Sequence, residues 1–179
     1  MKRLLTILRL IYLKFISPNK VANISGVKFG KNCCFNTKSF GSEPFLIEIG
    51  DNFYTSKGVD FVTHDGSVNV LRQLYPKLKE ADLFGQIQIG NNVFIGINVT
   101  ILPNTLIGDN VIVGAASLVK GELQSNSVYA GIPAKYICSI EDYLEKNKKH
   151  FDFTKNLSKE EKKDFLLYKY YTSSKNIKV

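Results

Sequence analysis

Between Ile89 and Val119 an aliphatic residue returns at every sixth position, as Ile89, Ile95, Ile101, Ile107, Val113 and Val119. Four residues after each anchor stands Val93, Val99, Thr105, Val111, Ser117 or Leu123, mostly small or β-branched, and Gly90, Gly96, Gly108 and Gly114 follow four anchors directly. A period of six fits neither the 3.6 of a helix nor the 2.0 of a flat amphipathic strand. It fits an all-β solenoid in which each hexad makes one short side and a corner, with the anchors stacked inward and Gly or Asn at the turns. Three sides close a coil, so Ile89 should lie under Ile107, Ile95 under Val113 and Ile101 under Val119.

The repeat is weaker upstream. Phe29 and Phe35 are six apart, the register slips from Ser39 to Pro44, and it recovers at Ile49 with Thr55 and Phe61 as the next anchors. From Ser67 to Gly85 it is lost in a charged, aromatic, proline-containing stretch, read as an excursion loop over 67–85; loops of that length inside a domain are usually functional or disordered. After Leu123 it fades into a turn-rich exit through Gly131-Ile132-Pro133-Ala134-Lys135. Ser139 with Asp142 and Ser158 with Glu161 read as capped starts of two helices, near 140–150 and 158–171. The chain thus divides into an N-terminal amphipathic helix (1–20), the solenoid (21–138) and a C-terminal helical extension (139–179).

A chain of 179 residues with 44% hydrophobic content suits one soluble domain with terminal attachments. The net charge of +8 favours anionic partners. With no recognised nucleic-acid module beside it, the lysine-rich C-terminal tail reads as a solvated helix with one apolar stripe. Cys33, Cys34 and Cys138 have neither zinc spacing nor an even disulfide count, which points to a reducing cytoplasm. Residues 3–16 are too short for a membrane span and precede no small-residue cleavage site. Lys2, Arg3, Thr6, Arg9 and Lys14 gather on one side of a helical wheel. Such a helix can cap the open end of the solenoid or lie on the inner face of an anionic membrane.

His64 stands where the regular coil gives way to the loop, in Thr63-His64-Asp65-Gly66-Ser67. A lone histidine is more often structural than catalytic. At the mouth of a long loop on a rigid wall, however, it is placed to take a proton from a bound acceptor. Asp65 could orient it or touch the acceptor, and Arg72, Tyr75 and Lys77 in the loop could contact a sugar or an anionic group. His150 lies among lysines and reads as exposed. The sequence shows no metal-ligand set.

The segments THDGS, the loop, IGNNVFIG, VGAASLV and GIPAK occur in that order. Over roughly residues 24–140 the chain resembles the hexapeptide-repeat acyltransferases, in the branch of the maltose and galactoside acetyltransferases and the O-acetyltransferases of bacterial surface polysaccharides. The resemblance implies a left-handed parallel β-helix, a homotrimer with active sites between subunits, acetyl-CoA as donor and a sugar or glycan acceptor. By position it makes His64 the general base and puts Phe94 near the thioester. It sets Gly96, Ile97, Gly114 and Ala115 along the pantetheine arm, and Lys120 and Lys135 toward the nucleotide. Two departures stand out: Lys120-Gly121 replaces the usual Thr-Lys, and Gly58 occupies the place of an acceptor-site asparagine. The rival readings are a non-catalytic binding or scaffold solenoid and an N-acetyltransferase acting on an amino-sugar.

Overall fold

The structure, a computed structural model, describes residues 15–172. Among these residues the chain visits three sheets in rotation. The first contains β1 (Lys28–Phe29), β2 (Ile47–Ile49), β5 (Ile87–Ile89), β8 (Thr105–Ile107) and β11 (Glu122–Leu123). The second contains β3 (Tyr54–Thr55), β6 (Phe94–Ile95), β9 (Val111–Val113), β12 (Ser127–Ala130) and β13 (Lys135–Ser139). The third contains β4 (Asp60–Phe61), β7 (Thr100–Ile101) and β10 (Leu118–Val119). Ile89 pairs in parallel with Ile107, Ile95 with Val113 and Ile101 with Val119, as the spacing requires.

The anchors are buried, and so are Val93, Val99, Thr105, Val111, Ser117 and Leu123 at the second inward position. Each fully buried aliphatic contributes about 1.5–3 kcal/mol. The polar members carry their own partners: Thr105 Oγ1 donates to the Leu102 carbonyl at 2.7 Å, and Ser117 Oγ to that of Gly114 at 2.7 Å. Small hydroxyl residues can therefore stand in an apolar column without an unsatisfied group.

The corner between the first and second sheets explains the recurring Gly-Asp/Asn-Asn. A Cβ on Gly90 would fall 2.9 Å from the Gly108 carbonyl carbon, so close stacking of turns demands glycine there. The next residue receives an N–H from the preceding turn: Asp51 N–H donates to Asn91 Oδ1 at 2.8 Å, Asn91 N–H to Asp109 Oδ1 at 2.6 Å, and Asp109 N–H to Ser125 Oγ at 2.9 Å. The third, Asn52, Asn92, Asn110 or Asn126, has φ between 55° and 58°, a left-handed conformation that asparagine tolerates. Amides of this column also bond along it, Asn92 to Asn110 at 2.9 Å and Asn110 to Asn126 at 2.8 Å.

Both ends differ from the sequence reading. The coil does not begin at residue 21: Pro18–Ser25 form a helix, α1, with Ser17 as N-cap and Pro18 in the first turn. Ser17-Pro18 starts a helix rather than merely ending one. Val21 and Ala22 join the core, and the Asn19 side chain donates to the Cys33 carbonyl at 2.7 Å and accepts from Phe35 N–H at 3.0 Å. Helix α1 thus packs at this end of the coil; the amphipathic helix expected before it falls almost wholly on residues 1–14, outside the described residues. At the other end, the expected turn-rich exit is a hairpin. Strand β12 continues the second sheet in parallel with β9, and β13 returns antiparallel to it.

The inserted loop leaves and rejoins the coil without changing its register, since Ile47 still pairs with Ile87. It carries a short helix, α2 (Val68–Leu74). A first compact unit runs to Tyr143 and a second comprises 144–179. Helix α3 (Ile140–Asn147) spans that boundary, and Ser139 Oγ accepts from Asp142 N–H at 3.0 Å. The second unit contains α4 (Lys159–Leu167), opened by a Ser158/Glu161 capping box, and an ion pair between Lys169 and Asp152 at 2.6 Å. Among the described residues no helix is long and apolar enough to cross a membrane.

Three outcomes follow for chemical denaturation. Ile101→Ala removes a fully buried anchor and should cost about 2–5 kcal/mol, whereas Gln88→Ala, on the exposed face of β5, should stay within about 0.5 kcal/mol of wild type. Gly96→Ala should cost about 1–3 kcal/mol, because its Cβ would lie 2.6 Å from the Ala115 backbone nitrogen.

Candidate active site at the mouth of the inserted loop

The base of the loop is zipped shut by backbone pairing. Gly85 N–H donates to the Thr63 carbonyl at 2.9 Å, Asp65 N–H donates to that of Leu83 at 2.8 Å, and His64 lies opposite Phe84 in an antiparallel bridge. Thr63 points inward and is fully buried, and the His64 side chain remains 32% exposed. Residue alternation along extended chain thus turns one buried threonine into one presented imidazole.

Each imidazole nitrogen faces a carboxylate. His64 Nδ1 is 3.8 Å from Glu43 Oε1, and Nε2 is 3.8 Å from Asp82 Oδ1. The two carboxylates are held differently. Glu43 is bound to the wall, where its Oε2 accepts from Thr63 Oγ1 at 3.0 Å and Ser42 Oγ at 2.8 Å, and its N–H donates to Thr63 Oγ1 at 3.2 Å. Asp82 belongs to the loop and is paired with the Arg72 guanidinium. Arg72 also donates from Nε to the Ala81 carbonyl at 2.8 Å and from Nη1 to Asn69 Oδ1 at 2.7 Å. All three of its nitrogens therefore serve the loop.

The structure brings His64 and Arg72 together through Asp82. Asp65 turns away to cap the loop, where Oδ1 accepts from Ser67 N–H at 2.9 Å. That bond, and after it the Ser67 hydroxyl, holds the carboxyl below the ordinary carboxylate range. Tyr75 is exposed just after α2. Glu43 and Asp82 were missed by sequence reasoning. Glu43 falls in the stretch where the register slips, and only the mixed charge of the loop hinted at Asp82.

The residues assigned to the donor fall into two groups. Gly96 and Ile97, then Gly114 and Ala115, occupy the corner between the second and third sheets on successive turns: Gly96 N–H bonds the Val113 carbonyl and Ala116 N–H bonds that of Ile97, each at 2.8 Å. Lys135 lies at the far end of the second sheet, opposite Ala130. Phe94 points outward from that sheet, stacked on Tyr54 with centroids 5.8 Å apart. It borders a groove of about 470 Å³ also lined by Asn92, Asn110 and Ile112. Lys120 is elsewhere, on the corner after the third sheet. The bonds Val62 N–H to the Ile101 carbonyl and Leu102 N–H to that of Val119 place it two turns along from the His64 side.

Packing already requires some of these small residues, since a Cβ on Gly114 would lie 2.9 Å from Ala130 Cβ. Ile97 and Ala115 are exposed and free of that constraint. Gly58, with φ of 73°, has Asn98 Oδ1 2.2 Å from where its Cβ would be, so the Asn98 amide fills the space an asparagine side chain would need. Cys33 packs against the core and donates to the Gly50 carbonyl at 3.3 Å; burial pushes its thiol pKa up. His150 is exposed, and no metal-holding group occurs among the described residues.

A family model for the bacterial transferase hexapeptide (six repeats) matches residues 86–121. The chain is 44% identical over 158 residues to Protein CapG of Staphylococcus aureus, covering 87% of this chain and 90% of that protein. It is 34% identical over 131 residues to the galactoside O-acetyltransferase of Escherichia coli (strain K12), covering 72% of this chain and 60% of the relative. Among solved structures, the hexapeptide-repeat acetyltransferase VCA0836 of Vibrio cholerae O1 biovar eltor, complexed with acetyl coenzyme A, matches with a TM-score of 0.54. That match covers 64% of this chain and 60% of the other at 24% identity, a likeness of fold. The chain belongs to the hexapeptide-repeat acyltransferases.

Proposed function

We propose that the protein is an acetyl-CoA-dependent O-acetyltransferase that modifies a sugar or glycan of a surface polysaccharide, with His64 as general base. The observation that carries this reading is the pair of carboxylates about the imidazole: Glu43 on the wall faces Nδ1 and leaves Nε2 toward the side where the loop opens. The Glu43 carboxylate, 3.8 Å from Nδ1, stabilises by its charge the imidazolium that forms during transfer. His64 Nε2 removes the proton of an acceptor hydroxyl as its oxygen attacks the thioester carbonyl carbon. A backbone N–H stabilises the oxyanion. Collapse breaks the C–S bond, the thiolate takes the proton back from His64, and the products are an acetyl ester and free CoA thiol.

The coil is a left-handed parallel β-helix, a hand supported by the match to the bacterial transferase hexapeptide model and by the likeness of fold to a hexapeptide-repeat acetyltransferase. The protein is a homotrimer with its sites between copies. Within one chain the third side of the coil separates His64 and Lys120 from the corner of Ile97 and Ala115. A donor lying against both groups of residues would meet one from each of two copies. Exposed Tyr54, Phe94 and Ile97 supply apolar surface for that contact. Lys120 and Lys135 are the phosphate contacts of the nucleotide, Gly96 and Gly114 open the corner to the pantetheine arm, and Tyr75 borders the acceptor.

His64→Ala should lower acetyl transfer by about 10²- to 10⁴-fold, with trimer mass in the ultracentrifuge and acetyl-CoA affinity in the calorimeter unchanged. Near wild-type turnover on a confirmed acceptor would refute the mechanism. Glu43→Gln should reduce kcat by about tenfold with little change in KM for acetyl-CoA.

The protein acts in the cytoplasm at the inner face of the membrane, held by the basic amphipathic segment. Removing residues 2–14, which spares the Ser17 cap and the core contact of Ile16, should release it from anionic vesicles in a flotation assay and leave the trimer intact. Vesicle binding that survives the deletion would assign membrane contact elsewhere.

A further inference from the structure

Three groups converge where the loop rejoins the wall: the His64 imidazole, the Asp82 carboxylate and the Phe84 ring. The Phe84 ring lies 4.7 Å from the imidazole, centroid to centroid and tilted by 53°, and the residue is 44% exposed. Asp82 Oδ1 and His64 Nε2, 3.8 Å apart, are too distant to bond each other. The Arg72 guanidinium is given to the same Oδ1.

An ionised carboxylate is an acceptor only, and the nitrogen of a general base must also accept. The mouth of the loop therefore presents two acceptors side by side and no donor between them. A hydroxyl carries one proton and satisfies one acceptor. If it goes to His64 it offers nothing to Asp82, and a charged oxygen that a bound ligand covers without hydrogen-bonding is costly. Two hydroxyls on neighbouring ring carbons satisfy both. Beside them the exposed Phe84 ring offers an apolar surface of the kind that receives the C–H face of a pyranose.

Resting on the acetyltransferase reading, we infer that Asp82 is a specificity-determining residue that selects a pyranoside acceptor with two adjacent hydroxyls. One hydroxyl gives its proton to His64 Nε2 and is acetylated, its neighbour donates to Asp82, and the sugar ring rests on Phe84. Arg72 is the positioning residue. It fixes the carboxylate to the loop, and each of its three nitrogens already donates to a loop acceptor.

The test uses the full-length protein with acetyl-CoA and a panel of methyl hexopyranosides and their monodeoxy counterparts, read as kcat/KM from release of CoA thiol. In the wild type, removing the hydroxyl next to the acetylated one should lower kcat/KM by about tenfold or more. In Asp82→Ala that penalty should fall below about threefold, and Asp82→Asn, which keeps one acceptor oxygen, should lie between. Acetyl-CoA affinity by calorimetry should be equal in all three proteins. Equal use of diol and deoxy sugars by the wild type, or a full penalty retained in Asp82→Ala, overturns the assignment. So does a wild type that binds acetyl-CoA and acetylates none of the pyranosides. A wild type that does not bind acetyl-CoA overturns the acetyltransferase reading instead.

Discussion

Each turn of the coil must lie one strand spacing, roughly 4.8 Å, from the next, and the corner between the first and second sheets is where that spacing is hardest to keep. Backbone there meets backbone. In the four positions Ile-Gly-Asp/Asn-Asn, an anchor fills the interior and a glycine lets the turns touch. An oxygen-bearing side chain then receives the N–H of the turn before, and an asparagine takes the left-handed φ. The second and third of these requirements act on the same few atoms. A side chain at the glycine would push the turns apart and stretch the N–H bonds beside it, which is why Gly50, Gly90 and Gly108 are each followed by Asp or Asn.

A wall held in this way tolerates insertion. The cost of closing a flexible loop rises only by about 0.6 kcal/mol for each doubling of its length, and the pairs Thr63–Gly85 and Asp65–Leu83 join the two ends within the coil's own geometry. The coil continues from β2 to β5 in register while the loop projects outward. That arrangement lets two kinds of residue meet at His64. Glu43 comes from the wall two residues beyond Gly41, whose φ is 69°, and Asp82 comes from the returning limb of the loop.

The repeat made the coil, its inward columns and the asparagine corners legible from sequence, because stacking imposes the same demand on every turn. His64 was legible by position, at the boundary where the repeat stops. Glu43 and Asp82 were not. They reach the imidazole through one loop bridge and one irregular corner, neither of which has a period to read. Both coil ends were misjudged for a related reason. A terminal turn has only one neighbour, so its open edge is closed by whatever chain is adjacent, here the Asn19 side chain at one end and β13 at the other. Such closure follows no repeat.

The two carboxylates also separate two demands on an acetyltransferase site. Supporting the base is the same requirement for every acceptor, and in the proposed mechanism it falls to Glu43, held on the wall by Thr63 and Ser42 and 18% exposed. Recognising the acceptor differs between enzymes, and Asp82 sits on the insertion, where sequence can change without disturbing the stacked turns. Arg72 makes that separation workable. Its Nε, Nη1 and Nη2 hold Ala81, Asn69 and Asp82 together on the loop. Paired with Arg72, Asp82 is held on the loop 3.8 Å from Nε2, which in the proposed scheme leaves acceptor choice to the loop and proton transfer to the wall.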